Sequence, residues 1–217
     1  MPTLTEHNGV HVLHLGNGEN VFTQDWLAEV EDALDKVVAS PALLVTIAAG
    51  KHFSNGLDLD WVLANPTDLP AYTVRVQALF ARVMLPVPTV AAVNGHAFGA
   101  GAMLAMAHDW RIMRVDRGYF CFPEVDIQIP FTRGMAALIQ AKLSPRAALD
   151  AMTTGYRFTG PEAVEAGLVD ATAEEAEVLD VAIAKVAALA GKHADTLGDI
   201  KSTMYAEVVR HLSAETA

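Results

Sequence analysis

The chain has 217 residues, 52% of them hydrophobic and 19% charged, which suits one domain with a full hydrophobic core. A formal charge of −11 argues against binding to nucleic acids or to anionic membranes. The single cysteine, Cys121, excludes an intrachain disulfide, and no apolar run approaches the roughly 20 residues that cross a bilayer. The first residues lack the pattern of a signal peptide, so we expect a cytoplasmic protein without a membrane partner.

The first half of the chain predicts strands that alternate with helices. The Asn8-Gly9 pair predicts a hairpin turn. Thr23 is predicted to cap a helix at Gln24–Ala39, and Asp58 stands where the cap of a second helix belongs. The other elements predicted in this half are the strands Thr3–Glu6, Val10–Leu15, Leu43–Ile47 and Thr89–Val93, the helix Ala71–Met84, and a small-residue helix that begins at Ala102 and is closed by His108-Asp109.

The second half predicts shorter elements and a helix-rich end. These are strands at Arg111–Val115 and Leu168–Asp170, brief extended runs at Tyr119–Phe122 and Tyr156–Phe158, an irregular segment at Pro123–Ile127, and helices at Gly134–Leu143, Pro145–Thr153, Gly160–Ala166, Ala173–Ala190 and Gly198–His211. Strands and helices that alternate at this spacing predict a mostly parallel sheet flanked by helices. The helix-rich C-terminal third either packs on the core or forms a trimerisation layer, and we assign no separate domain to it.

Two glycine-containing breaks, each between a buried strand and a helix, are the first chemical signal. One runs from Ala48 to Leu59 and the other from Asn94 to Gly101. The backbone N–H groups at a helix N-terminus attract negative charge. N–H groups from two such turns could therefore converge on one oxygen as an oxyanion hole. Two ordinary strand–helix turns are the alternative interpretation of these glycines.

Four motifs, taken together and in order, resemble those of the crotonase superfamily, which contains enoyl-CoA hydratases and isomerases. The similarity is collinear from about residue 10 to 190. The motifs are Lys51–Leu59 (KHFSNGLDL) and Asn94–Gly101 (NGHAFGAG, running on to Asp109), similar to the two oxyanion segments; Phe122–Ile127 (FPEVDI), similar to the segment with a catalytic glutamate; and Thr159–Asp170, which ends in an A-x-x-x-G-L-V-D element.

The resemblance implies an α/β fold of the crotonase type, a spiral of ββα units. It implies a single domain over residues 1–217, with the spiral over about 1–190 and terminal helices over about 173–217 as a trimerisation region. It also implies an acyl-CoA thioester substrate, no metal and no cofactor apart from the CoA of the substrate, and a homo-oligomer that is a trimer or a hexamer.

The resemblance also assigns site residues by their position in the motifs. The backbone N–H groups of Leu57 and Ala100 would be the oxyanion donors, which polarise the thioester carbonyl and stabilise the enolate formed from it. Glu124 would be the catalytic carboxylate. The residues assigned to substrate binding are Ser54, Asn55, Gly56, Asp58, Gly99, Met103 and Phe131.

The number of carboxylates distinguishes between reactions within this family. Its hydratases carry two glutamates, and here the position of the first is Met103, which is neither acid nor base, while the second is Glu124. The dienoyl isomerases of the family have acidic residues at two positions that Met103 and Thr132 occupy in this chain. A single carboxylate suits Δ3,Δ2-enoyl-CoA isomerisation, in which one base removes a proton from C2 and returns it to C4. The apolar neighbours of Glu124 favour burial, which would raise its pKa.

The segments Glu124–Ile127 and Ser54–Leu59 also resemble those of the monofunctional peroxisomal-type enoyl-CoA isomerases of plants. An enoyl-CoA isomerase involved in fatty acid β-oxidation is therefore the function that we expect. The alternatives are an enoyl-CoA hydratase, another reaction of the family such as thioester hydrolysis or decarboxylation, and an acyl-CoA binder without catalysis.

Overall fold

The computed structural model describes residues 1–40, 42–84 and 87–213. Within these ranges the strands are β1 Thr3–His7, β2 Val10–His14, β3 Val21–Phe22, β4 Leu43–Ile47, β5 His52–Ser54, β6 Gly56–Leu57, β7 Thr89–Val93, β8 His96–Phe98, β9 Trp110–Arg114, β10 Phe120–Cys121 and β11 Ala171–Ala173. The helices are α1 Gln24–Ala39, α2 Leu59–Ala64, α3 Leu69–Met84, α4 Ala100–Ala107, α5 Glu124–Ile127, α6 Arg133–Lys142, α7 Pro145–Thr154, α8 Gly160–Glu165, α9 Val178–Ala187, α10 Ala194–Met204 and α11 Ala206–Leu212.

A six-stranded sheet of order β1-β2-β4-β7-β9-β11 forms the centre of the fold. Its pairs are parallel except for the β1–β2 hairpin, which turns at Asn8 and Gly9 as predicted. All five residues of β7 are buried. A strand covered on both faces needs an apolar run without alternation, which is the pattern that predicted it. The mostly parallel sheet flanked by helices is confirmed.

Short second strands lie inside the glycine breaks, where the sequence predicted turns alone. β8 pairs in parallel with β5 and β10 in a three-stranded sheet, and β3 pairs with β6. A repeating unit of the chain therefore consists of a strand of the large sheet, a strand of the small sheet and a helix, as in β7–β8–α4 and β9–β10–α5. This is the spiral of ββα units that the resemblance implied. Strands of two or three residues are too short to show a hydrophobic period, so the pattern missed them.

Helices with a local capping signal begin where the sequence predicts them. The N–H of Trp26 donates to the Thr23 hydroxyl 3.1 Å away, and the N–H of Trp61 donates to the Asp58 carboxylate at 3.0 Å. Helix α4 begins at Ala100, two residues before the predicted start. Its first turn has no capping side chain to mark it, because the N-cap is Gly99.

Several predictions for the second half of the chain are wrong. Leu168–Asp170 is a bend rather than a strand, and β11, which begins directly after it at Ala171, pairs with β9 instead. The segment Pro123–Ile127, predicted to be irregular, contains the one-turn helix α5. The single helix predicted at Gly198–His211 is two helices that meet at Tyr205. The helix predicted at Ala173–Ala190 begins only at Val178, because Ala173 ends β11, which pairs with the distant strand β9.

The C-terminal helices pack on the core of their own chain. Helix α9 buries Val178, Ala182 and Val186 in a cluster with side chains of the large sheet, which include Val45 and Val90. Helix α11 packs against α3 and α6. A trimerisation role for this region stays a prediction.

Candidate active site

The two glycine turns converge in the structure. Gly56 has φ +80°, and a Cβ atom placed on it would lie 2.8 Å from the backbone nitrogen of Ala100 and 2.9 Å from that of Gly101. A Cβ atom on Gly101 would in turn overlap the carbonyl of Ser54. The start of β6 therefore passes directly against the first turn of α4. Only glycine allows backbones to approach this closely at such a φ angle.

Side chains of the first turn hold its backbone in place. The Ser54 side chain is fully buried, donates to the Asn20 carbonyl at 2.7 Å and accepts the N–H of Gly56 at 3.0 Å. The amide oxygen of Asn55 lies 2.8 Å from Nδ1 of His52. Ser54, Asn55 and Asp58 thus have hydrogen-bond partners within the protein, and their contact with substrate stays a prediction.

Helix α4 points its N-terminus at this junction. Ala100 is its first residue, so the N–H of Ala100 has no acceptor within the helix. The helix dipole adds positive potential at the same end. All of its residues are buried, and Met103 is only 2% exposed and lies within the main hydrophobic core. The hypothesis that the N–H groups of Leu57 and Ala100 act together requires this proximity of the two turns.

The carboxylate of Glu124 lies beside the same turn. A Cβ atom on Gly99 would be 3.4 Å from Oε1 of Glu124. The Glu124 residue is 8% exposed, and its Oε2 is buried without a hydrogen-bond partner among the described residues. Burial raises the pKa of Glu124 from 4.5 to about 7. A carboxyl group with that pKa both accepts and donates a proton near neutral pH.

The segment after Glu124 folds back on it. Gln128 ends α5 in the left-handed conformation, with φ 60°. Its N–H and that of Ile129 both donate to the Glu124 carbonyl, the second at 3.0 Å. Phe131 then packs edge-on against the fully buried Phe122, with ring centroids 6.3 Å apart. These contacts fix the path of the chain directly after Glu124, and no local pattern signals them.

A cavity of about 500 Å³ opens beside Glu124. Phe131, one of the predicted substrate-binding residues, lines it, whereas Met103 packs in the core. The sequence missed the contributions of the helices α6 and α7, since small and apolar residues on a helix carry no chemical signal. The lining residues are Glu124, Val125, Gln128, Ile129, Pro130, Phe131, Ala136, Met152 and Thr153.

Two further properties concern the part of the chain that the structure describes. No cluster of three or more histidine, cysteine or acidic side chains in that part is arranged to hold a metal ion. No helix there combines the length and the hydropathy that crossing a bilayer requires.

The sequence matches the Enoyl-CoA hydratase/isomerase family over residues 5–217. It is 32% identical to "Enoyl-CoA delta isomerase 1, peroxisomal" of Arabidopsis thaliana, over 99% of this chain and 94% of that protein. It is 34% identical to a "Probable enoyl-CoA hydratase", EchA17, of Mycobacterium tuberculosis, over 76% of this chain and 64% of that protein. The crystal structure of human mitochondrial delta3-delta2-enoyl-CoA isomerase has the same fold, with a TM-score of 0.91 at 23% identity over 97% of this chain and 85% of that one.

Proposed function

Because the chain belongs to the enoyl-CoA hydratase/isomerase family, we propose that it binds enoyl-CoA thioesters and moves their double bond from C3 to C2. The observation that carries this proposal is the single buried carboxyl group of Glu124, whose pKa is raised to about 7, at the junction of the two glycine turns. Relatives named as delta isomerases, which match nearly the whole chain, support the same choice.

In the proposed mechanism, the backbone N–H groups of Leu57 and Ala100 hold the thioester oxygen. The Glu124 carboxylate removes a proton from C2, and the electron pair of that C–H bond forms a dienolate whose negative charge rests on the held oxygen. Protonated Glu124 then returns the proton to C4, and the double bond comes to lie between C2 and C3. Substrate and product are isomers, and CoA stays attached throughout.

Hydration makes a different demand on the site. An added water molecule has to be held and deprotonated while C2 receives a proton, which in this family uses two carboxylates. Met103 occupies one of those positions and is packed in the core. Hydration would therefore lack the carboxylate that this family places at the position of Met103.

We test the proposal with purified protein, a trans-3-enoyl-CoA and the variant Glu124→Gln, which keeps the shape and removes the base. Loss of a general acid–base group costs about 10²- to 10⁴-fold in rate, and we expect a loss in this range. Glu165→Gln, a change at an exposed carboxylate of α8, is the control and keeps the wild-type rate. Undiminished turnover by Glu124→Gln would show that Glu124 is not the catalytic base.

The mass of the product separates the alternatives. Isomerisation leaves the mass of the substrate unchanged, hydration adds one water, and hydrolysis releases free CoA. Calorimetric binding of acyl-CoA without turnover of any substrate would instead favour a non-catalytic binder. We also propose that CoA of the substrate is the only cofactor and that the protein assembles as a trimer or a hexamer, which sedimentation of the purified protein measures.

A further inference from the structure

The groove beside Glu124 continues beyond the reaction centre. Helices α6 and α7 are joined by two residues, so they form a hairpin, and a second cavity of about 470 Å³ lies along it. Met152 and Thr153 line both cavities, which are therefore adjacent at these two residues. The second cavity is lined by Gln140, Pro145, Ala148, Leu149, Met152 and Thr153.

The chemistry of the groove is almost uniformly apolar. Among the residues that line its two cavities, Glu124 is the one with an ionisable side chain. Large apolar side chains also lie along its rim, where Val125 and Leu149 are 50% and 53% exposed. A contiguous apolar surface that stays open to water marks a site that an apolar ligand or partner covers. Each cavity also has the volume of a ligand pocket, about 300–1,000 Å³.

The dimensions indicate which ligand fits. The second cavity follows α7 from Thr153 to Pro145, which are eight positions apart and so about 12 Å along the helix axis. An extended chain advances about 1.2 Å per bond, because three bonds span roughly 3.3–3.6 Å in an extended backbone. The second cavity therefore has the length of roughly ten methylene groups, and the first cavity lies between it and the proposed base.

We infer that this groove holds the hydrocarbon tail of the substrate, so that the preferred substrates are unbranched acyl thioesters of more than ten carbons. The inference rests on the proposed function, since it takes Glu124 as the point where the reacting carbons lie. Met152 stands at the junction of the two cavities and is a specificity-determining residue: its side chain decides whether the tail passes from the first cavity into the second.

The test is the dependence of kcat/KM on chain length for trans-3-enoyl-CoA substrates of six, ten and fourteen carbons. Full burial of one methylene group increases the affinity about fourfold. A groove that is open on one side buries each methylene group only in part, so we expect an increase of roughly twofold per carbon. We expect kcat/KM of the wild type to be about 10²-fold higher at fourteen carbons than at six. Met152→Trp fills the junction and reduces this ratio at least tenfold. A wild-type ratio near one, or an unchanged ratio in Met152→Trp, overturns the inference.

A second variant and a matched control separate the groove from folding defects. Leu149→Trp lies on the exposed rim of the second cavity and is also expected to reduce the ratio of long-chain to short-chain kcat/KM. Val38→Trp introduces the same side chain at a position that is equally exposed, at 52%, but lies on α1, and keeps the wild-type ratio. If Met152→Trp and Leu149→Trp change the molecular mass in solution while the ratio is unchanged, a second copy of the chain covers the groove and the inference is wrong.

Binding measurements distinguish failure of this inference from failure of the proposed reaction. The dissociation constants of saturated acyl-CoAs of the same lengths, measured by calorimetry, require no turnover. In one outcome, no 3-enoyl-CoA is converted, but the affinity of the wild type rises with chain length and that of Met152→Trp does not. The isomerase proposal is then wrong, and the inference about the groove is supported. If conversion occurs while affinity is independent of length, the groove inference fails alone.

Discussion

Replacing Gly56 with alanine probes the contact between the two glycine turns. The new Cβ atom would lie 2.8 Å from the nitrogen of Ala100 and 2.9 Å from that of Gly101, whereas ordinary contact begins at 3.4 Å. The atoms in the way are backbone, so the two turns have to separate by about half an ångström or more. A displacement of about 1 Å at a reaction centre can cost 10²-fold in rate, and we expect Gly56→Ala to lose roughly 10- to 10²-fold in kcat/KM.

The positive φ angle of Gly56 has a cost of its own, and a second glycine measures it separately. Gly167 has φ +76°, nearly the +80° of Gly56, but a Cβ atom there would meet no heavy atom within 4 Å. Gly167→Ala therefore carries only the conformational cost, about 1–2 kcal/mol, which lowers the Tm by about 2–8 °C. Gly56→Ala is expected to lower the Tm further, because it adds the steric overlap.

The assay compares both variants with the wild type by thermal unfolding and by turnover of a trans-3-enoyl-CoA. The outcome that we expect is a loss of stability in both and a loss of activity in Gly56→Ala alone. If Gly56→Ala stays within twofold of the kcat/KM of Gly167→Ala, the close approach of β6 to α4 has no part in catalysis. The reasoning about the oxyanion hole would then be refuted even though the turns are adjacent.

Two further predictions concern buried charges. Burial raises the pKa of Glu124 from 4.5 to about 7, so the folded state loses stability relative to the unfolded chain as pH rises through this window and loses no more above it. Glu124→Gln does not carry this penalty, so its free energy of unfolding in urea, relative to that of the wild type, should rise by about 2–3 kcal/mol between pH 5 and pH 8. The kcat/KM of the wild type should rise with pH up to about 7. A stability difference between the two proteins that does not change with pH would contradict the burial of this carboxyl group. Lys201, 4% exposed, donates to Asp109 at 2.8 Å and to the Val87 carbonyl at 2.6 Å. Lys201→Met leaves the largely buried carboxylate of Asp109 without its ion-pair partner, at a cost of about 3–5 kcal/mol. The expected fall in Tm is at least about 6 °C, and a fall below about 2 °C would mean that this ion pair does not hold α10 to the core.

The sequence by itself determined the elements whose signals are local. Thr23 and Asp58 cap their helices with their own side chains, and the Asn8-Gly9 pair forms a hairpin turn, so a few neighbouring residues suffice to predict each of them. The strands at 43–47 and 89–93 are long apolar runs, which are stable only when buried on both faces. The motifs also determined the family and selected Glu124 as the candidate base.

Tertiary structure alone decided which of these parts meet. The short strands β5 and β8 exist because they pair with each other, so no run of residues within either of them predicts it, whereas β10 lies within the extended run predicted at Tyr119–Phe122. The contact between Gly56 and Ala100 joins segments 44 positions apart, and both glycine turns look ordinary until the backbones are brought together. The pKa of Glu124 depends on its burial in the folded chain, and the apolar groove depends on how α6 and α7 pack. Local sequence patterns therefore suffice to identify the candidate site residues. The distances between these residues and their shielding from water, on which their reactivity depends, result from long-range packing.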